Sequence, residues 1–403
     1  MTAIRPNLLK LLAPLATFGL AVALLLALGG PREIALPERA SADYASLGYD
    51  YLQQARDNGD PANYSRAERS FAAALRRDDR DVDALLGAAT LAGLRHDFEE
   101  QLRLGLEARR LMPETVRAYP EIADAQIELG RYGAAERTLQ RMLDLKPNLS
   151  AYARVSYFRE LHGDVAGAAE AMRLAVSAGG GAPENVAYVE VLLGDLELQR
   201  GRAGAARLAY VSALRSLPGY PAGMVGLARA DAAGGDLGRA AVRLRRAADR
   251  LPLTATLTLL AQVERALGHP ARAQAALDGA RAQQRLYRAA ATEPDAEAVL
   301  FEADFGDPRE AVALGRQVWE QAPSVRSADA LGWALTRSGR PQAGLRWARS
   351  ALRLGSRDAV FRFHAGMAAR AARRPHASDL RIAIKGGGML SPQQLEQARE
   401  ALR

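Results

Sequence analysis

Residues 223–252 read GMVGLARADAAGGDLGRAAVRLRRAADRLP. Gly235 lies in the middle of this stretch. A residue without a Cβ takes the positive φ that a helix C-terminal cap prefers, so a first helix is predicted to stop there. Eight and seven residues earlier, Leu227 and Ala228 form a large-small pair on that first helix. Five residues after the glycine comes Ala240, then Leu244 and Ala247, which fall on one stripe of a second helix. The small residue lets the two helices approach closely and the larger ones fill the space behind it. Pro252 stops the second helix. The stretch therefore predicts a helical hairpin.

The same hairpin recurs along the chain. Turn glycines stand at Gly130, Gly163, Gly201, Gly235, Gly268, Gly306 and Gly339, with His96 in the equivalent place earlier, at spacings of 34, 33, 38, 34, 33, 38 and 33 residues. Small residues follow at Ala135, Ala168, Ala206, Ala240, Ala273, Ala311 and Gly344. Larger ones then come at Leu139, Met172, Tyr210, Leu244 and Leu277. Pro113, Pro147, Pro218, Pro252 and Pro323 close units at a common phase. Large-small pairs precede other turns, as in Leu193-Gly194, Leu260-Ala261 and Leu331-Gly332. Composition agrees, because alanine, leucine, arginine, glutamate and glycine dominate while aromatics are only 6%, a mix suited to closely packed helices and not to a sheet.

This pattern resembles the tetratricopeptide repeat (TPR) family over roughly residues 44–384. The resemblance implies an all-α, right-handed solenoid of about nine to ten helical hairpins. Three places depart from the pattern: an insertion around residues 57–63, a GGGAPEN loop at 179–185 and a lengthened junction at 285–297. Pro375, Ser378 and Ile382 keep a worn version of the unit. Gly386-Gly387-Gly388 then lead to Ser391, Pro392 and Gln394, which read as N-cap, first helical position and capping-box partner of a final helix covering the last repeat. Residues 385–403 are thus a Gly-rich loop and a capping helix.

The resemblance also implies that first helices line a concave inner surface where a partner protein or peptide is held. In the repeat phase, the candidates for that surface are Asp124, Arg154, Tyr157, Tyr188, Asp195, Arg229, Gln262, Arg326 and Trp333. The lysine and asparagine clamp by which some members of the family hold a terminal carboxylate is missing from the matching positions, which disfavours a ligand of that sort.

Ahead of the repeats, Arg5 and Lys10 precede an uncharged run from Leu11 to Leu28, LLAPLATFGLAVALLLAL. As a helix this run is about 27 Å long, close to the hydrocarbon thickness of a bilayer and longer than a usual cleavable signal. Residues 1–30 are expected to form a signal anchor, a transmembrane or signal helix, joined to the repeats by a linker over 31–43. The preceding positive charges place the repeats on the extracytoplasmic side. The rival is secretion after cleavage near Ala40-Ser41-Ala42.

The net charge is +8, yet only Lys10, Lys146 and Lys385 are lysines. Such a bias towards arginine is what GC-rich codon usage produces, and the arginines are interleaved with acids, which reads as solvated mixed-charge faces. Nucleic acid is therefore an unlikely partner, and steep salt dependence of binding is the sign that would reveal one. Arg243, Arg245, Arg246 and Arg250 form a local basic block expected on an outward surface. The chain has no cysteine, which excludes disulfides and thiolate chemistry. His96, His162, His269 and His376 fall at the helix turns and His364 stands alone in a helix, so no zinc ligand set is expected. Asp78, Asp79, Asp81 and Asp83 lack the glycine and distal glutamate of a calcium loop and read as capping residues of a turn. Gly179 to Gly181 follows no strand and precedes no Gly-Lys-Ser, so it is not a phosphate loop. No catalytic residue, metal or cofactor is expected, and no pair of carboxylates converges by spacing alone. The leading expectation is a non-catalytic, membrane-tethered interaction scaffold on the outside of a bacterial cell, helping to assemble an envelope or secretion complex. The alternative is a regulatory or substrate-binding arm of a cell-wall or polysaccharide enzyme system.

Overall fold

A computed structural model of the chain describes residues 40–179 and 182–403. The anchor expected over residues 1–30 lies outside the described residues. Among the described residues every regular element is helical, and no helix is long and apolar enough to cross a membrane.

Ten helical hairpins follow one another. They pair α1 (Ser41–Asn58) with α2 (Ala62–Arg77), α3 (Val82–Leu94) with α4 (Phe98–Leu111), and α5 (Tyr119–Glu128) with α6 (Tyr132–Leu145). Next come α7 (Leu149–Leu161) with α8 (Val165–Ala178), α9 (Pro183–Gln199) with α10 (Ala203–Ser216), and α11 (Pro221–Ala233) with α12 (Leu237–Arg250). The series continues with α13 (Thr254–Ala266) and α14 (Pro270–Ala289), α15 (Ala296–Phe305) and α16 (Pro308–Gln321), α17 (Val325–Arg337) and α18 (Pro341–Ala351), and α19 (Ala359–Ala371) and α20 (Ala377–Lys385). A last helix, α21 (Pro392–Glu400), carries the expected capping box between Ser391 and Gln394. Two of the expected insertions are in part helical, for α9 starts at Pro183 and α14 continues to Ala289.

The turn chemistry follows the sequence at most units. After Gly130, Gly163, Gly201, Gly235 and Gly268, all at positive φ, the next amide donates to the carbonyl five residues back, as Arg131 does to Gln126 and Asp236 to Asp231. That bond satisfies a carbonyl which the end of the helix would otherwise leave unpaired. His96 occupies the same place at φ 63, with Asp97 bonded to Ala92. Gly306 corrects the expectation, for its φ is −121. There Pro308 holds Asp307 extended, and Asp307 N donates to Glu302 Oε1 at 2.7 Å, so a side chain ends α15. Second helices end two residues before Pro113, Pro147, Pro218, Pro252 and Pro323. Helical geometry is disfavoured for a residue preceding a proline, which accounts for the common stop.

Two junctions between hairpins are packed by an aromatic-on-glycine interlock. Tyr210 on α10 is fully buried, and a Cβ added to either Gly194 on α9 or Gly226 on α11 would stand 2.3 Å from its ring. Phe71 on α2 lies in the same way between Gly48 on α1 and Gly87 on α3. Each of these two rings therefore locks its own first helix to that of the next hairpin.

A second device is polar. Glu197, Asp231 and Glu264, each four residues before a turn glycine, are 3%, 1% and 1% exposed. Arg173 and Arg200 reach Glu197 at 2.5 and 3.1 Å, and Arg207 and Arg243 reach Asp231 at 2.6 and 2.7 Å. Glu264 takes Arg245 and His269. Arg243 and Arg245, expected as outward charges, thus serve as partners of buried carboxylates, which would be costly to leave alone.

The described array winds back on itself. Glu293 N donates to Arg95 O at 3.1 Å, and His96 Nδ1 lies 2.7 Å from Glu293 O. Val325 N donates to Tyr132 Oη at 2.8 Å, with the Arg353 guanidinium over the Tyr132 ring. A Cβ at Gly163 would meet Gly355 O at 2.3 Å, and one at Gly386 would meet Gln199 O at 3.1 Å. Turns of successive early hairpins rest in order on the junctions between late hairpins, 197 and 193 residues away at two of them.

Candidate functional site

Winding brings first helices from both halves of the array to one interior. A cavity of about 720 Å³ is lined from α5, α7, α9, α11, α15, α17 and α19. All seven are first helices of their hairpins, and Met172 on the second helix α8 and Met389 beyond α20 complete the lining. Seven of the nine candidates border it: Asp124, Arg154, Tyr157, Tyr188, Asp195, Arg229 and Arg326. Two do not. Gln262 lies on α13, which contributes nothing to this cavity. Trp333 is a core residue, 6% exposed, stacked on His364 at 4.3 Å and donating from Nε1 to Asp304 at 2.9 Å. Its ring is spent on packing α17 to α19.

Two ion pairs lie among the lining residues. Arg154 on α7 grips Asp124 on α5 through two bonds, Nε to Oδ1 at 2.9 Å and Nη2 to Oδ2 at 2.7 Å. Asp195 on α9 accepts from Tyr210 Oη at 2.6 Å and faces Arg229 on α11 at 3.7 Å. Burial still pushes the Asp195 carboxyl above the usual range, opposed by Arg229 and by the tyrosine bond. Tyr188 remains half exposed within the cavity.

The lining holds further carboxyl groups beyond these pairs. Glu128, Glu160, Glu297, Asp329 and Asp358 line the cavity together with Arg326. Burial, reinforced by Asp358 and Asp195 and opposed by Arg326, pushes the Glu160 carboxyl up to about 8. Burial and the nearby Asp295 push Glu297 up to about 7, against Arg326 and Arg229. Glu128 and Asp358 are raised chiefly by burial as well. Asp358 is the N-cap of α19, accepting from Val360 N and Phe361 N at 2.9 Å. Asp329 is 1% exposed. Its Oδ2 lies 2.8 Å from His364 Nδ1, while its Oδ1 has no partner. Among the described residues no group of three His, Asp or Glu side chains is arranged to hold a metal ion.

Five of these acids escape a reading of the sequence. For three of them a signal exists. Glu128 is one helical turn beyond Asp124, Glu160 one turn beyond Tyr157, and Asp329 one turn beyond Arg326, so extending the stripe along each first helix reaches them. Glu297 and Asp358 stand at helix starts, where an acid reads as a cap. The convergence of carboxylates, which spacing alone does not suggest, is created by the winding.

No protein-family model matches the chain, and no curated protein matches it. Among solved structures, human IFIT1 in a dimer with m7Gppp-AAAA is similar over 83% of this chain and 75% of that one, at 15% identity and a TM-score of 0.51. The same protein with PPP-AAAA aligns over 79% and 73%, at 15% identity and a TM-score of 0.50. The chain spans 59% of the chain it matches in the Cut9-Hcn1 hetero-tetramer of the APC/C, at 15% identity and a TM-score of 0.37. A TPR protein of Thermus thermophilus aligns over 44% of this chain at 19% identity and a TM-score of 0.40. The described chain has a TPR-like helical-repeat fold.

Proposed function

We propose that the chain is a non-catalytic binding scaffold, which holds a segment of a partner protein in the cavity between its first helices. The observation that carries this reading is the cavity itself. At about 720 Å³ it falls within the range of ligand sites, which is about 300–1,000 Å³. Its walls combine tyrosine rings with charged groups held on helices, which is the composition of a recognition surface and not of a core. The uncharged run from Leu11 to Leu28 supports a tether to a membrane, with the repeats on the extracytoplasmic side. For a scaffold so tethered we assign assembly or recruitment of an envelope or secretion complex.

The test places a photoreactive phenylalanine analogue at position 188, inside the cavity, and in a second full-length chain at position 208. Leu208 on α10 is 73% exposed and borders no part of this cavity. A cross-linked partner from position 188 that is absent from position 208 supports the reading. The same products from both positions, or none from position 188, overturn it.

The convergence of carboxyl groups beside Tyr157 and Tyr188 favours a second reading, a substrate-binding or regulatory arm for a cell-wall polymer. Activity towards peptidoglycan or polysaccharide that is lost on changing Asp124 or Asp195 is the result that selects it.

A further inference from the structure

We propose that the cavity seats a cationic side chain, arginine or lysine, presented by a peptide segment of a partner protein. This rests on the binding reading above and supplies its chemistry. Arg154 is taken by Asp124 and Arg229 by Asp195. Arg326 is then the remaining arginine of the lining, set against Glu128, Glu160, Glu297, Asp329 and Asp358. One arginine faces five carboxyl groups there; Asp329 is held by His364 and Asp358 caps α19, which leaves the carboxyls of Glu128, Glu160 and Glu297. A carboxylate oxygen buried without a partner, as Asp329 Oδ1 is, is costly, and a charge-assisted bond from a guanidinium or ammonium removes that cost.

Asp329 marks the place. It is almost wholly buried, it borders the cavity, one oxygen is engaged by His364 and the other bonds to nothing. Such an orphaned acceptor needs an explanation, and an incoming N–H donor provides one. Phe361 on α19 and Tyr157 on α7 line the same cavity and supply ring faces for a cation. An anionic group entering there would oppose ionisation of these carboxyl groups and find Arg326 as the remaining arginine of the lining.

The electrostatics of the cavity agree. Glu160 faces Asp358, Asp195 and Arg326, and with its carboxyl pushed up to about 8 it holds a proton at neutral pH. A cation arriving beside it favours the ionised form, so binding releases protons and strengthens as pH rises towards about 8.

The probe is a capped peptide alternating arginine with glycine, titrated calorimetrically into the full-length chain, with a twin carrying neutral citrulline in place of arginine. The arginine peptide is expected to bind about tenfold tighter than its twin or better. Its affinity should rise between about pH 6 and about pH 8, and its heat should depend on the ionisation enthalpy of the buffer. The double variant E160Q/E297Q should lose about tenfold in affinity and most of the buffer dependence, with its helical circular dichroism unchanged. Equal binding of the two peptides, or binding of neither, overturns the cationic seat. Spermidine binding as tightly as the peptide overturns the peptide source, and a triphosphate-ended RNA binding more tightly overturns the charge argument. The cross-link from position 188 is read separately, so a partner captured there while the arginine peptide fails leaves the scaffold standing without this chemistry.

Discussion

Glu160 shows how a single side chain reports on the interior. With a carboxyl at about 8 in the folded chain against about 4.3 in an unfolded one, the native state holds more protons than the unfolded state between those values. Stability must therefore fall as pH rises through that window and level off above about 8. Glu160→Gln is expected to be more stable than the parent at pH 8, on the order of 2 kcal/mol, with the gap closing by about pH 4. Urea unfolding at several pH values checks this, and a gap that does not change with pH would remove Glu160 from the buried set. At this scale the sequence was half informative. Asp124, Tyr157 and Arg326 are found by repeat phase, whereas Glu128, Glu160 and Asp329 require following the helix face one turn further. Trp333 shares its phase with Tyr157, yet the space around it is filled by His364, Phe363 and Arg337, so phase assigns a face and neighbours assign exposure.

Between elements, the interlock of rings with glycines sets the spacing of the hairpins at two junctions. Gly226 lies in a helix, where alanine would ordinarily be preferred, but its added Cβ would stand 2.3 Å from Tyr210. That ring is hemmed in by α9 on its other side and tied by its hydroxyl to Asp195. Gly226→Ala is expected to destabilise by about 1–3 kcal/mol, measured by urea unfolding. Tyr210→Leu should cost less in that background than alone, because the two groups compete for one space. Additive losses would show that the ring and the glycine do not lock one another. Hairpins, their turns and their proline stops were legible in the sequence because capping and φ restriction are local. The buried acids four residues before Gly201, Gly235 and Gly268 were equally periodic, and they read as surface charge only because their arginine partners lie on other helices.

Across the whole molecule, the contacts between early turns and late junctions distinguish this array from a solenoid in which each repeat touches only its neighbours. Gly130 and Gly268 make a matched pair for testing it. Both have positive φ, 67 and 76, but a Cβ at Gly130 would meet Pro323 O at 2.4 Å, whereas nothing lies within 4 Å of one at Gly268. Each change to alanine carries a backbone cost of about 1 kcal/mol. Gly130→Ala should in addition speed hydrogen exchange at Val325 and Glu293, whose amides bond across the windings. Equal exchange in both variants would mean that the windings are independent. The sequence by itself determined the hairpins, most of their turns and their proline stops, since each follows from interactions within about 34 residues. Only the tertiary structure decided that first helices from both halves share one cavity and that its acids outnumber its arginines. Those facts depend on the small rotation between successive hairpins, which accumulates over nearly two hundred residues and leaves no mark in any one repeat.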